Sequence, residues 1–180
     1  MYKIVALFGE SGAGKDTTLK AVCENTDFNR IITCTTRPKR DYEVDGVDYH
    51  FLTIPQFSEK VLNGDMIEAT TFNEDWFYGT DIKTLKEDKI NIGVFNPGSI
   101  ECMFGNPDLD LHLIYISASD KVRLLRNLNR EANPDCREIC RRFLADKKDF
   151  EVLTTWPCMY EFNTEEEENY DGLIRLIESL

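Results

Sequence analysis

Residues 9–16 read Gly-Glu-Ser-Gly-Ala-Gly-Lys-Asp, between the apolar run Ile4-Val5-Ala6-Leu7-Phe8 and the helix-forming stretch Thr17-Thr18-Leu19-Lys20-Ala21-Val22. Strand, glycine-rich loop and helix in that order constrain the fold to an α/β unit, in which a buried strand delivers the loop to a helix N-terminus. Gly9, Gly12 and Gly14 leave backbone N–H groups around Ser11 and Ala13 free to wrap an anion there. Lys15 adds a full charge beside the β and γ phosphates of a triphosphate. The pattern G-x-x-x-x-G-K normally continues with Ser or Thr, whose hydroxyl meets Mg²⁺. Asp16 stands in that place. The loop predicts ATP binding by Gly9, Ser11, Gly12, Ala13, Gly14, Lys15, Asp16 and Thr17, with Mg²⁺ as the accompanying ion.

A chain of 180 residues is sized for one domain, and such a domain buries roughly two thirds of its unfolded surface without disulfide or metal staples. The six cysteines include no C-x-x-C pair and the sequence starts directly on a core strand, which points to a reducing, cytoplasmic compartment. No apolar run approaches the roughly 20 residues of a membrane helix, so no membrane association is expected. A net charge of −12 argues against nucleic-acid binding, which needs a basic surface. The charge is unevenly placed: residues 119–148 hold nine Lys and Arg against five Asp and Glu, and residues 149–180 hold one against nine. A basic stretch in an acidic chain predicts a site for a small polyanion. Nothing in the composition chooses between a monomer and a homodimer.

Apolar runs at 2–8, 90–95 and 111–117 read as buried strands, with helices at 15–25, 97–104 and 119–130, so the fold class is α/β, a parallel sheet covered by helices. Between them, Tyr49–Leu52, Met66–Ala69 and Trp76–Tyr78 read as short strands around a helix at 55–63, a small inserted α+β lobe. Asn133-Pro134 divides the basic region into two helices, the second running to about Leu153. Asp171–Leu180 reads as a closing amphipathic helix, and the acidic run Glu165–Glu168 is expected to start it, at the positive end of its dipole.

Residues 33–51, TCTTRPKRDYEVDGVDYHF, carry Thr35-Thr36-Arg37, Arg40, Glu43, Gly46, Asp48-Tyr49 and Phe51, followed by Glu68 and by Tyr78-Gly79-Thr80. In order and spacing these features, with the phosphate loop, the basic segment and Glu161-Phe162-Asn163-Thr164, resemble the guanylate kinase family over essentially the whole chain. The resemblance implies a P-loop kinase core (1–32, 81–118, 153–180), a monophosphate-binding lobe (33–80) and a helical lid (119–152). It implies phosphoryl transfer from ATP to GMP or dGMP. The residue chemistry is consistent: Arg37 and Arg40, with the Tyr49 and Tyr78 hydroxyls, suit a dianion, each charge-assisted hydrogen bond contributing about 1.5–3 kcal/mol. Guanine offers N1–H and N2–H donors and an O6 acceptor. Glu68, with the hydroxyls of Thr33 and Thr80, fills the family positions that complement it, whereas adenine would set a lone pair against the carboxylate. Arg126, Arg130 and Arg142 match the family's lid arginines, and with Lys15 they are the candidate catalytic residues. Arg141 is a neighbour without an assigned role. Asn163 matches a position near the adenine of ATP and equally suits a turn between strand and helix.

The chain departs from the family on the strand Ile90-Asn91-Ile92-Gly93-Val94-Phe95, where Gly93 and Phe95 replace two aspartates. A non-catalytic interaction domain of the same fold is therefore the alternative from another class, and a kinase with another acceptor base is the closer one. Asp16 is the candidate metal ligand, placing a carboxylate beside Mg²⁺ that offsets the acid missing at Gly93. Thr17 is available to a phosphate, and Glu10 is expected to face solvent or to order metal-bound water. Phe95 points to an altered hold on the acceptor's sugar or base. His50, His112, Cys136 and Cys140 lack metal-ligand spacing, and Trp76, Phe77 and Trp156 are expected to pack.

Overall fold

The apolar run at the N-terminus forms β1 (Tyr2–Phe8), and Ile4, Val5, Ala6 and Leu7 are completely buried. Four consecutive buried residues are the signature of a strand covered on both faces, as in a parallel sheet. The computed structural model describes residues 1–41, 43–72, 76–130, 132–151, 156, 160–166 and 170–180. After β1 come α1 (Lys15–Glu24), β2 (Asn29–Arg30), β3 (Cys34–Thr35), β4 (His50–Phe51), α2 (Ile54–Leu62), β5 (Met66–Phe72) and β6 (Trp76–Asp81). They are followed by β7 (Asn91–Val94), α3 (Pro97–Met103), β8 (Leu109–Ser117), α4 (Asp120–Leu128), α5 (Cys136–Glu151), β9 (Tyr160–Asn163) and α6 (Asp171–Glu178). Five strands make one sheet in the order β2-β7-β1-β8-β9, with β2 parallel to β7 and β8 parallel to β9; four make a second, in the order β4-β3-β6-β5.

The chain divides into two units, residues 1–4 with 28–111 and residues 5–27 with 112–180. In the first, β5 and β6 pair antiparallel, β3 pairs antiparallel with β6 and parallel with β4, and α2 packs on β5 and β6. Helix α2 starts where the sequence changes period: Thr53 and Gln56 form a reciprocal capping box and Pro55 occupies the first turn, so orphan N–H groups are satisfied at once. Phe57 is buried, its ring 5.6 Å from that of Phe77. Asn91 fixes the start of β7: its amide donates to the carbonyls of Lys3, Lys86 and Lys89, and its oxygen accepts from Asn29 Nδ2 and the Lys86 N–H. A buried polar side chain so fully bonded is an anchor rather than a cost. In the second unit, Leu113, Ile114 and Ile116 of β8, Phe162 of β9 and Leu173 and Ile177 of α6 form core. Burying each such side chain contributes about 1.5–3 kcal/mol.

Most of these elements coincide with the sequence expectation; β2, β3 and β9, of two to four residues each, carry too little pattern to show in it. The acidic run does not start the last helix, which begins at Asp171. Glu165 instead accepts from the Ser119 N–H and hydroxyl at the head of α4. The attraction of a carboxylate to a helix N-terminus is the expected one, satisfied on a different helix. Glu167, Glu168 and Leu153 lie outside the described residues.

Gly93 and Phe95 are coupled. A Cβ at Gly93 would sit 3.0 Å from the Ile31 Cβ and 3.1 Å from Phe95 Cε2, and Phe95 is itself buried. The space an aspartate at position 93 would need is filled by the aromatic ring two residues on.

Candidate active site

The first unit gathers Arg37, Arg40, Glu43, Tyr49 and Tyr78. Arg37 follows β3 directly, its N–H bonded to Thr35 Oγ1 at 3.1 Å. Its guanidinium is 6% exposed. It donates from Nη2 to Glu43 Oε1 (2.7 Å) and from Nη1 to Glu43 Oε2 (3.1 Å) and the Pro38 carbonyl (2.8 Å). It lies 5.5 Å from the centre of the Tyr49 ring and 5.8 Å from that of Phe51. The Tyr78 side chain is a further hydrogen-bond partner of this guanidinium. The Arg40 N–H donates to Glu43 Oε2 at 2.8 Å, and its guanidinium lies 3.8 Å from Oε1. The Tyr49 and Tyr78 rings meet edge-on at 6.2 Å. Burial opposes charge on Arg37, yet the bonds from Glu43, with Tyr78, hold its pKa above the ordinary value. Burial likewise opposes charge on Glu43, and Arg37 and the Arg40 N–H outweigh it, leaving the carboxyl below its usual range. Two cations against one carboxylate give a net positive pocket walled by aromatic rings, suited to a phosphate dianion.

Glu68 on β5 faces Thr80 on β6 across the ladder. Its Oε1 accepts from Thr80 Oγ1 at 2.8 Å, while the buried Oε2 has no hydrogen-bond partner among the described residues. Burial pushes this carboxyl up to about 7, against the pull of the Thr80 and Ser99 hydroxyls. A buried acceptor without a donor is rare in a folded protein and marks a place where a ligand brings one. Ser99, buried in the first turn of α3, shares a 3.4 Å contact with the Thr70 hydroxyl.

In the second unit the glycine-rich loop leaves β1 with positive φ at Gly9 (153°) and Gly12 (81°). A Cβ at Gly9 would fall 2.2 Å from the Ile116 carbonyl oxygen and one at Gly12 2.6 Å from that of Arg123, so close backbone approach and φ both demand glycine. Lys15 Nζ donates to the Gly9 and Glu10 carbonyls at 2.7 and 3.0 Å. Burial pulls its pKa below the ordinary value, against Asp16 and Asp146. The Ser11 N–H donates to Asp146 Oδ2 at 2.6 Å, so an anionic group already sits on the loop. Arg126 Nη1 donates to the Gly12 and Ala13 carbonyls (3.2 and 3.1 Å) and to Thr164 Oγ1 (2.9 Å). Arg130 is close enough to Lys15 to depress its pKa. Arg141 and then Arg142 hold Glu138 down to about 2.

A family model described as guanylate kinase matches residues 1–178. The chain belongs to the guanylate kinase family. The guanylate kinase of Fusobacterium nucleatum subsp. nucleatum is 31% identical over 176 residues, covering 95% of this chain and 93% of that one. That of a Ruegeria species is 33% identical over 161 residues, covering 85% and 71%. The fold is shared with the crystal structure of guanylate kinase from Anaplasma phagocytophilum, at a TM-score of 0.69 and 22% identity over 99% of this chain and 86% of that one.

For a guanylate kinase family member, the structure brings together Arg37, Arg40, Tyr49 and Tyr78, and separately Glu68 with Thr80. Thr33 is joined through its backbone, its carbonyl accepting from the His50 N–H at 2.9 Å. No hydrogen bond links its hydroxyl to Glu68 among the described residues. Asp16 and Thr17 are exposed in the first turn of α1, and Asn163 Oδ1 closes a turn by accepting from the Glu165 N–H at 2.9 Å. Glu10 is the correction. Instead of facing solvent it is 12% exposed, pairs with Arg123 at 2.8 Å and accepts from the Tyr115 hydroxyl at 3.2 Å. Its partner is 113 positions away, so no local pattern signals the pair. Sequence reasoning also assigned no role to Glu43, Ser99 or Asp146; only Glu43, within the matched stretch, carried a usable signal. No group of three or more His, Cys, Asp or Glu that could hold a metal occurs among the described residues.

Glu43→Gln leaves Arg37 buried without its counter-ion. It is expected to lower stability by about 3 kcal/mol in urea unfolding at pH 7. Because the folded carboxyl titrates below its unfolded value, the pair's contribution should be complete above about pH 5 and disappear as acid protonates Glu43. A variant as stable as the parent would show that the pair contributes nothing.

Proposed function

We propose that this protein catalyses transfer of the γ-phosphoryl group of ATP to GMP or dGMP, with Mg²⁺. The observation that carries the reading is the buried Glu68 carboxylate, one oxygen held by Thr80 and the other without a hydrogen-bond partner among the described residues. Guanine N1–H and N2–H are donors of the kind it lacks. Adenine would bury a lone pair against it, and sites built on such pairing discriminate by about 10⁴-fold. Arg37, Arg40, Tyr49 and Tyr78 hold the acceptor phosphate, and the loop N–H groups with Lys15 hold the donor. An oxygen of the acceptor phosphate attacks Pγ, the bond from Pγ to the β–γ bridging oxygen breaks, and GDP or dGDP and ADP result. The dianionic acceptor needs no general base. Arg126, Arg130, Arg142 and Lys15 offset the charge on the equatorial oxygens in the transition state.

The donor groups present fit Mg²⁺. Asp16 supplies an exposed hard carboxylate one residue after Lys15, and Gly93 cannot. Magnesium typically takes one or two protein carboxylates and otherwise phosphates and water. Bound there with ATP, the ion would supply positive charge to offset that of the phosphates. The interaction-domain alternative gains weight from Gly93 and Phe95, and loses it from the intact glycines and Lys15. Among the described residues, Cys23, Cys34, Cys102, Cys136 and Cys140 form no disulfide, which supports a reducing, cytoplasmic setting. No helix among the described residues is long and apolar enough to cross a membrane.

A coupled assay of ADP release across GMP, dGMP, AMP, dTMP and CMP is expected to show turnover with the guanine acceptors only. Lys15→Ala should lower kcat by about 10² or more. No turnover with any acceptor would leave the interaction domain standing, and turnover with another base would overturn the guanine assignment.

Below about pH 7 Glu68 is protonated in the free protein, and guanine binding requires the carboxylate. GMP affinity, measured by calorimetry, should therefore rise about tenfold per pH unit up to about 7 and level above it. Glu68→Gln should retain only the gentler slope from GMP's own phosphate, which titrates near 6. Identical profiles would remove Glu68 from base recognition.

Asp16→Ser is expected to raise the half-saturating Mg²⁺ concentration about tenfold in a magnesium titration of the reaction. An unchanged requirement would place the metal elsewhere.

A further inference from the structure

Arg123 lies outside the lid arginines of the family pattern, yet its side chain is the most completely buried charge described in the molecule, at 0% exposure. Its Nε donates to the Ser11 carbonyl at 3.1 Å, and its Nη1 pairs with Glu10 at 2.8 Å and Asp120 at 3.0 Å. Its Nη2, buried and without a hydrogen bond, lies 3.6 Å from Asp146 Oδ2, the oxygen that accepts from the Ser11 N–H. Its guanidinium sits 4.9 Å from the centre of the Phe143 ring. Its own carbonyl is the atom against which Gly12 packs. Three consecutive loop residues, Glu10, Ser11 and Gly12, are therefore held by one residue of α4, and Ser11 is gripped on both sides, its carbonyl by Arg123 and its N–H by Asp146.

The charges around this residue balance. Three carboxylates, Glu10, Asp120 and Asp146, meet Arg123, Lys147, which pairs with Asp120 at 2.7 Å, and Lys15, which interacts electrostatically with Asp146. Removing the guanidinium would leave Glu10 and Asp146 partly unanswered at the loop that a triphosphate must enter. A like charge so placed repels the donor and leaves the acceptor's own pocket, built from other residues, untouched.

We propose that Arg123 is a positioning residue for the phosphoryl donor: it sets the shape of the glycine-rich loop through Ser11 and Gly12 and neutralises Glu10 and Asp146 beside it, without touching the nucleotide. The proposal rests on the reading of that loop as the ATP site. Lysine keeps the charge but has neither the fork nor the separate Nε–H needed to reach Ser11 and Glu10 together.

The test is steady-state kinetics on the full chain, with ATP and GMP varied separately, together with thermal unfolding. In Arg123→Lys, KM for ATP is expected to rise about three- to tenfold while KM for GMP stays within twofold. In Arg123→Met the rise should exceed tenfold, and Glu10→Gln in that background should recover part of it by deleting the unanswered carboxylate. A purely structural role would lower the melting temperature without separating the two KM values. An unchanged KM for ATP in Arg123→Lys overturns the proposal, whether or not Arg123→Met folds. If the unmodified protein shows no turnover, the kinase reading fails, and ATP affinity measured by calorimetry for the parent and Arg123→Lys then decides the proposal, equal affinities overturning it.

Discussion

A guanidinium removed from water must have its charge answered within a few ångströms, and in this protein that requirement organises both the glycine-rich loop and the loop after β3. Arg123, with no exposed surface, draws Glu10, Asp120 and Asp146 around it and so fixes the glycine-rich loop from beneath. The loop's shape would otherwise rest on glycines, which give freedom rather than definition. The flexible residues permit the close backbone approaches, and the buried charge selects among the conformations that they permit.

Arg37 applies the same physics in the other unit. Its fork is matched to Glu43 and lies beside the Tyr49 and Phe51 rings, so its orientation is fixed within the protein. Preorganisation of this kind lowers the entropy to be lost on binding. Glu68 is the contrasting case. Burial raises its pKa to about 7 against the Thr80 and Ser99 hydroxyls, and among the described residues its Oε2 has no hydrogen-bond partner. The charges around Arg37 are answered within the protein, whereas the Glu68 carboxylate keeps one oxygen without a hydrogen bond among the described residues.

Where the family's aspartates are missing, the replacement is apolar packing. Phe95 fills the space beside Gly93 against Ile31, so the loss of charge on β7 is built into the core of that unit and is not a single reversible substitution. The carboxylate at Asp16, exposed in the first turn of α1, is the nearest acid in sequence to Lys15.

The chain itself determined what depends on local pattern. The apolar run before the loop, the glycine spacing and Lys15 specify strand, anion-binding turn and helix, because backbone geometry at those positions follows from residue type. The order of Arg37, Arg40, Tyr49, Glu68 and Tyr78 likewise carried the resemblance to the family. The tertiary structure alone decided the partners. Glu10 looked like a solvent-facing loop residue until β8 and α4 brought Tyr115 and Arg123 against it, and Glu165 looked like the start of the last helix until α4 presented free N–H groups closer by. Electrostatic pairing depends on distance in space, which a sequence does not encode for residues a hundred positions apart; backbone preference acts within a few residues, and there the sequence sufficed.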